Sequence, residues 1–276
     1  RLDPPSLPVR VGVIDNSPVP SSAPVVESVA DRLRIEWFHE PRTGISFARN
    51  AALDRLAADE VMACIDDDCV ASPNWLVRLT ATLEDHEADA VGGPTYLERP
   101  ADAREWVHRV GFPTPSFAEG ERVRHVQTGN AMFVVRFLRH HGLRFDERFP
   151  LLGGEDSWLS HEIRRVGGAM VWSADARVVE PLPPHRVTVR WLVRRRFRYG
   201  YSASLRLLAD RRSRAMITEV ARVGYRTAVG LLWIVAGVIA GRRRALHGLL
   251  RLVAAAGSLW ALLGGEFSDY RSTDGR

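Results

Sequence analysis

The sequence predicts an α/β fold: a mostly parallel sheet flanked by helices, followed by a helical, membrane-associated tail. Three observations predict it. Strand-like and helix-like segments alternate through residues 9 to 97. Acidic residues fall where strands end, at Asp15 and at Asp66, Asp67 and Asp68. From Pro181 the composition turns strongly basic and then apolar. A chain of 276 residues with 46% hydrophobic residues can bury a full core, which excludes global disorder.

The elements follow in order. "VRVGVIDNS" (9–17) is β-branched and closes on turn formers, and "RIEWFHE" (34–40) reads as a second strand. "ISFARNAALDRLAAD" (45–59) reads as a helix with Phe47, Ala51 and Leu56 on one side. "VMACIDDDCV" (61–70) is a buried strand running into three consecutive carboxylates. "SPNWLVRLTATLEDH" has Ser72 as N-cap and Pro73 at the first helical position. "ADAVGGPTYL" (88–97) is the next strand, and residues 98–125 read as an irregular excursion. Order returns at "HVQTGNAMFVVRFLRHHG". In "FDERFPLLGGEDSWLSHEIRRVGG" a Gly-Gly turn and two acids precede a helix from Ser157 that stops at Gly167 and Gly168. "AMVWSADARVVE" (169–180) reads as a short strand pair.

The formal net charge is +5, and all 38 basic residues are Arg, a pattern best explained by coding bias. Cys64 and Cys69 form no disulfide framework or zinc spacing, so a reducing compartment is expected. The chain opens without Met and close to a strand, which points to a trimmed N terminus.

The basic run "RVTVRWLVRRRFRYGYSASLRLLADRRSR" would suit nucleic acid only with a recognition helix or stacking platform, and neither is evident. No nucleic-acid partner is therefore expected, and an anionic membrane surface fits the run better. The apolar stretches 227–241 and 249–265 are shorter than the roughly 20 residues of a spanning helix. Two crossings would also set Arg242, Arg243 and Arg244 outside, against the positive-inside tendency. Arg244, His247, Arg251 and Ser258 share one helical face, which favours a hairpin in the interface, with buried helices of a soluble dimer as the alternative.

Open α/β sheets bind ligands beyond the carboxyl ends of their strands. Asp15, the Asp66 to Asp68 triplet and Asp156 cluster there by sequence order, although a solvated turn or a helix-start acid would explain each singly. A divalent cation carrying a diphosphate needs one or two protein carboxylates, because the substrate fills much of its shell.

At this point "VIDNS", "TGISFARNAAL", "IDDDCVASPNWL", "TGNAMF" and "FDERFPLLGGEDSWL", in that order, resemble the family 2 glycosyltransferases of GT-A type fold, over residues 9 to 200. The resemblance implies an inverting enzyme that moves a sugar from a nucleotide-diphosphate donor, of UDP type, to a glycan or lipid-linked acceptor in cell-envelope synthesis. It implies that Asp156 is the general base and that Glu155 positions either that base or the acceptor. Asp15 would meet the base, Asp66 and Asp67 the donor, and Asp68 would ligate Mn²⁺ or Mg²⁺. Arg49 either packs at the start of its helix or reaches the nucleotide. "RRRFRY" is similar to the family's Gln/Arg-x-x-Arg-Trp motif, with Arg198 on the diphosphate and Tyr199 near the acceptor. Gly129, Asn130 and Trp158 fall on the acceptor side. The family's metal-ligating His after the last strand is replaced by Glu180, with His185 five residues on as the substitute. The expected organisation is a catalytic domain over 1–204, short of its first strand, and a helical tail over 205–276 at the cytoplasmic face of the membrane. The rivals are a nucleotidyl- or phosphotransferase on the same fold, or a degenerate membrane-bound scaffold.

Overall fold

The computed structural model describes residues 8–30, 34–57, 60–112, 116–148, 153–209, 213–265 and 267. The "FDERFPLLGGEDSWL" segment therefore lies partly outside the described residues. The first elements are β1 (Val11–Asp15), α1 (Ala23–Glu27), β2 (Ile35–His39), α2 (Ile45–Asp54), β3 (Val61–Ile65), β4 (Val70–Ala71), α3 (Trp75–Asp85), β5 (Ala90–Gly92) and β6 (Thr95–Glu98). They are followed by α4 (Glu105–Gly111), β7 (Asn130–Val134), α5 (Val135–His140), α6 (Glu155–Arg165), β8 (Met170–Trp172) and β9 (Val178–Pro181). Three long helices close the chain: α7 (Val189–Ala209), α8 (Ser213–Ala240) and α9 (Arg242–Leu262).

Two compact units form, one from Arg1–Tyr96 with Thr114–Glu180 and one from Leu97–Pro113 with Pro181–Arg276. In the first, β1 pairs parallel with β2. A four-stranded sheet runs β3-β7-β5-β8. Within it β5 and β8 are parallel, while β7 runs antiparallel to both β3 and β5, so the sheet is mixed.

Successive strand residues point to opposite faces, and the core divides accordingly. Ala90, Phe133, Met170 and Trp172 face one side, where Leu53 of α2, Leu138 of α5, and Leu159 and Ile163 of α6 pack on them. Val91, Met132 and Val171 face the other side, against Trp75, Leu76 and Leu79 of α3. The sheet is thus buried between two helix layers, with each large apolar side chain contributing about 1.5–3 kcal/mol.

Several boundaries differ from the sequence expectation. α2 ends at Asp54, short of the expected residue 59. α3 begins at Trp75 with Asn74 as N-cap, because the Trp75 amide donates to the Ser72 carbonyl and closes a turn ahead of the helix. The Ser72 hydroxyl donates to Asn74 Oδ1 at 2.9 Å rather than to the helix. α6 begins two residues before Ser157, because Gly153 and Gly154 take left-handed backbone (φ 69° and 86°) and deliver Glu155 and Asp156 into its first turn. The 98–125 excursion contains α4. The strands in 169–180 do not pair with each other: β8 pairs with β5 and β9 with β4.

In the second unit, Val107, Val110 and Phe112 pack with Leu182, Val187 and Leu192, and α9 adds Leu246 and Leu250 to the same cluster. A Cβ at Gly200 would overlap the Ala254 carbonyl, and one at Gly257 the Phe197 carbonyl, so α7 and α9 touch backbone to backbone. Glu219 of α8 is fully buried and accepts from Ser204 of α7 (3.0 Å) and Ser258 of α9 (3.1 Å).

Candidate active site

The first unit brings together three elements whose ends carry charge. β3 ends at Ile65, and Asp66, Asp67 and Asp68 occupy the exposed turn to β4, which the Cys69 amide closes on the Asp66 carbonyl at 3.1 Å. α6 starts with Glu155 and Asp156. α2 supplies Arg49 between them: one guanidinium nitrogen donates to Glu155 Oε1, and the other lies 3.4 Å from Asp66 Oδ1. Arg49 thus joins two acidic elements, reaching Asp66 across 17 residues of sequence and Glu155 across 106.

Its neighbour Asn50 has a different task. The Asn50 amide donates to the Phe145 carbonyl (2.9 Å) and to Glu147 (2.7 Å) and accepts from the Phe145 amide (3.0 Å). This pins the segment after α5 to α2.

Glu155 is buried, and its Oε2 has no hydrogen-bond partner among the described residues. Burial pushes its carboxyl above the usual range; Arg49 opposes this, and the neighbouring Asp156 charge adds to it. Burial also acts to raise Asp156, but His125 first, with Arg49 and the Ser157 amide, outweighs it and holds that carboxyl below its ordinary value. His125 Nε2 lies 3.6 Å from Asp156 Oδ2 and 3.0 Å from the Ser157 hydroxyl, and the Ser157 amide donates to Asp156 Oδ1 at 2.6 Å. Two adjacent carboxyls are therefore pushed in opposite directions, the arrangement expected where one must act as a base. Asp66, half exposed in its turn, is raised first by loss of water on the side that faces the protein, where Gly129 lies, and then by repulsion from Asp68 and Asp67, against the pull of Arg49.

Gly129 lies against the Asp66 carboxylate: a Cβ there would come within 2.7 Å of Oδ2. Asn130, expected beside the acceptor, is instead wholly buried. It accepts from the Trp75 indole (2.8 Å) and donates to the carbonyls of Pro94 (3.0 Å) and Ala176 (2.8 Å), so its amide ties two loops to the start of α3. Trp158, one turn along α6, lines an open cleft of about 360 Å³ with Phe145, Asp146, Arg148 and Glu162. The Arg148 guanidinium lies 5.1 Å from its ring centre.

Asp15 is buried at the end of β1. Its Oδ1 accepts from the Ser17 amide and hydroxyl, and its Oδ2 from the Ser21 and Ser22 amides and the Ser22 hydroxyl, each at 2.8 Å. Burial alone would raise this carboxyl, yet these donors bring it far below the ordinary range. Asp15 thereby shapes the loop that follows β1. Asn16 continues the clamp, donating to the Glu40 and Arg42 carbonyls and accepting from the Gly44 amide at the start of α2.

Arg198, Tyr199 and His185 belong to the second unit. Tyr199 is exposed on α7 and accepts from Arg195 Nε at 2.7 Å. The Arg195 guanidinium also lies 5.0 Å from the ring centres of both Phe112 and Trp191. His185 is exposed in a 3-10 turn, Pro184–Arg186. Among the described residues no group of three or more His, Cys, Asp or Glu is arranged to hold a metal by itself. Cys64 and Cys69 are free, and burial pushes their thiols up to about 11 and about 12, which removes them as nucleophiles.

The model of "Glycosyl transferase family 2" matches residues 2–142, just over half of the chain. The chain belongs to this family. It is 35% identical over 207 residues to the succinoglycan biosynthesis protein ExoM of Rhizobium meliloti, covering 74% of this chain and 66% of that protein. It is 30% identical over 180 residues to the glucosyl-dolichyl phosphate glucuronosyltransferase of Haloferax volcanii, covering 59% and 56%. The chain thus spans somewhat less than two thirds of the length of these relatives. The crystal structure of S. aureus TarS 1-349 in complex with UDP-GlcNAc superposes with a TM-score of 0.52 at 12% identity, covering 95% of this chain and 86% of that one. That likeness bears on fold alone, and the fold is of GT-A type.

His125 escaped the sequence reading. Nothing in its spacing marks it, because it reaches Asp156 and Ser157 from a loop 31 residues ahead of Asp156.

Proposed function

We propose that this chain is an inverting, metal-dependent glycosyltransferase that moves a sugar from a nucleotide-diphosphate donor to an acceptor hydroxyl, in cell-envelope glycan or glycolipid synthesis at the cytoplasmic face of the membrane. The observation that carries this reading is the Arg49 bridge, which sets the Asp66 end of the donor-side triplet beside the Glu155–Asp156 pair. Donor and base chemistry thereby meet in one site.

In the reaction, the acceptor oxygen bonds to the sugar C1 while the bond from C1 to the diphosphate oxygen breaks from the opposite face. Asp156, kept ionised by His125, takes the hydroxyl proton. The unpartnered Glu155 Oε2 suits a second acceptor hydroxyl donor and so orients the nucleophile. Asp15 and the loop it anchors form the proposed base site, of UDP type, with Asp66, Asp67 and Arg49 on the donor side. Gly129 keeps the space beside Asp66 open, and Trp158 offers a stacking face to the acceptor. Arg198 is the proposed diphosphate contact.

The exposed triplet offers hard oxygen donors whose mutual repulsion a divalent cation would relieve, so the residues fit Mn²⁺ or Mg²⁺. Asp68 would hold the ion. When bound, the ion would neutralise charge on the departing diphosphate. Incubating the full chain with a panel of labelled sugar nucleotides, with and without Mn²⁺, tests the reading: product from at least one donor supports it, and hydrolysis or transfer of phosphate instead of sugar refutes it.

A further inference from the structure

Both α8 and α9 contain apolar stretches long enough to cross a bilayer, Ile217–Ala240 and Arg242–Leu262. Their register as a pair argues against a crossing. A Cβ on Gly237 would come within 2.5 Å of the Ala245 amide, one on Gly230 within 2.9 Å of Leu252, and Arg226 donates to Ser258 at 3.2 Å. The Trp233 and His247 rings are 5.6 Å apart. The antiparallel pair therefore sets the ionisable start of α9 beside the apolar end of α8, and the ionisable start of α8 beside the apolar end of α9.

Followed along α8, ionisable groups appear at Glu219, Arg222 and Arg226. Arg251 then lies at the level of Gly230, His247 at the level of Trp233, and Arg242, Arg243 and Arg244 at the tip. Some ionisable group recurs about every helical turn, roughly 5 Å, whereas a bilayer core requires about 30 Å of apolar depth.

Across the hairpin the pattern is different. One side of α8, including Ile217, Val220, Leu231, Val235, Val238 and Ile239, is exposed and carries no ionisable side chain; Val238 and Ile239 are 84% and 90% exposed. At 1.5 Å per residue this stripe extends about 36 Å over the 24 residues of Ile217–Ala240. Exposed Arg242, Arg243 and Arg244 stand at its end, and Tyr225, Trp233 and Trp260 are also exposed.

Resting on the membrane reading above, we infer that α8 and α9 lie flat as a hairpin in one leaflet, with the uncharged stripe of α8 against the acyl chains and the tip arginines on anionic headgroups. An apolar side for lipid and cations for its headgroups are the two features of an interfacial element. Neither helix crosses.

The test places a single reporter at the tip. The full chain carrying Arg243→Cys is produced in a bacterial host, with the unsubstituted chain as the background for Cys64 and Cys69. A membrane-impermeant maleimide should label the variant only after spheroplasts are opened. The unsubstituted chain should float with vesicles of phosphatidylglycerol and phosphatidylethanolamine, bind phosphatidylcholine vesicles at least tenfold more weakly, and lose at least tenfold on Val235→Glu with an unchanged melt. Labelling of the tip in intact spheroplasts means that the hairpin crosses, and overturns the inference while leaving membrane attachment standing. Absence of binding to both vesicle types, with the chain freely soluble, overturns attachment as well and leaves sugar transfer untouched.

Discussion

The Arg49 guanidinium is paired with the buried Glu155 carboxylate and reaches Asp66 with its other nitrogen, so one cation on α2 fixes the spacing of two acidic strand and helix ends. Removing one partner of such a pair leaves an uncompensated charge. Arg49→Met is expected to lower unfolding free energy by about 3 kcal/mol and transfer by at least ~10²-fold. Arg49→Lys, which keeps the charge but loses the fork, should fall between. Denaturant melts and initial rates check both; an unchanged melt would show the pair to be unimportant to the fold.

His125 should reveal itself in the pH profile. Activity requires ionised Asp156, so it fails as the pH falls through that residue's folded pKa, which His125 keeps low. Around Asp156 the charged groups among the described residues are His125, Glu155 and Arg49, and His125→Ala leaves burial and Glu155 opposed by Arg49 and the Ser157 amide. The acid limb is expected to move up by about one pH unit, with donor KM unchanged. His125→Gln, which restores a donor without charge, should recover part of the shift. A limb that stays in place while the melting temperature drops would reduce His125 to a packing role.

Asp68→Ala should abolish metal-dependent donor binding and leave the melt unchanged within about 0.5 kcal/mol, because an exposed turn carboxylate contributes little to packing. Calorimetry of Mn²⁺ and nucleotide binding measures this. Unaltered affinities would move the ion elsewhere.

Acid should loosen the N-terminal part of the first unit. Glu40, hydrogen-bonded and paired with Arg42 against its burial, is lowered to about 2, and Asp15 lies lower still. Folded values below the unfolded ones mean stability that is fully present above about pH 5 and lost as the pH falls through the folded values. Asp15→Asn should cost about 2 kcal/mol, because its amide would face the Ser21 and Ser22 amides, donor against donor. The same variant should flatten the fall in melting temperature between about pH 5 and 3. An acid limb as steep as that of the unsubstituted chain would rule out Asp15 as its source.

The sequence made the alternation of strands and helices legible, because β3, α3 and α6 keep their periodicities along the chain. It also made legible the acids at strand and helix ends. The start of α6 was misread by two residues, since a left-handed Gly154 can cap a helix with no side chain to announce it. The burial of Asn130 was not legible, because it depends on Trp75, Pro94 and Ala176, which are distant in sequence. The clamp on Asp15 was only partly legible: Asp-Asn-Ser marks a turn, but the donors Ser21 and Ser22 lie six and seven residues on. His125 and the buried Glu219 cluster had no local signature, because both depend on contacts between segments far apart in the chain.

The most direct test of the central claim is the anomeric configuration of the product, read by NMR, for the unsubstituted chain and for Asp156→Asn supplied with the same donor and acceptor. Inverted product from the first and a rate at least ~10²-fold lower from the second, at unchanged donor affinity, is the expected result. Retained configuration, or an Asp156→Asn rate within a few-fold of the unsubstituted chain, would contradict the assignment of Asp156 as the base.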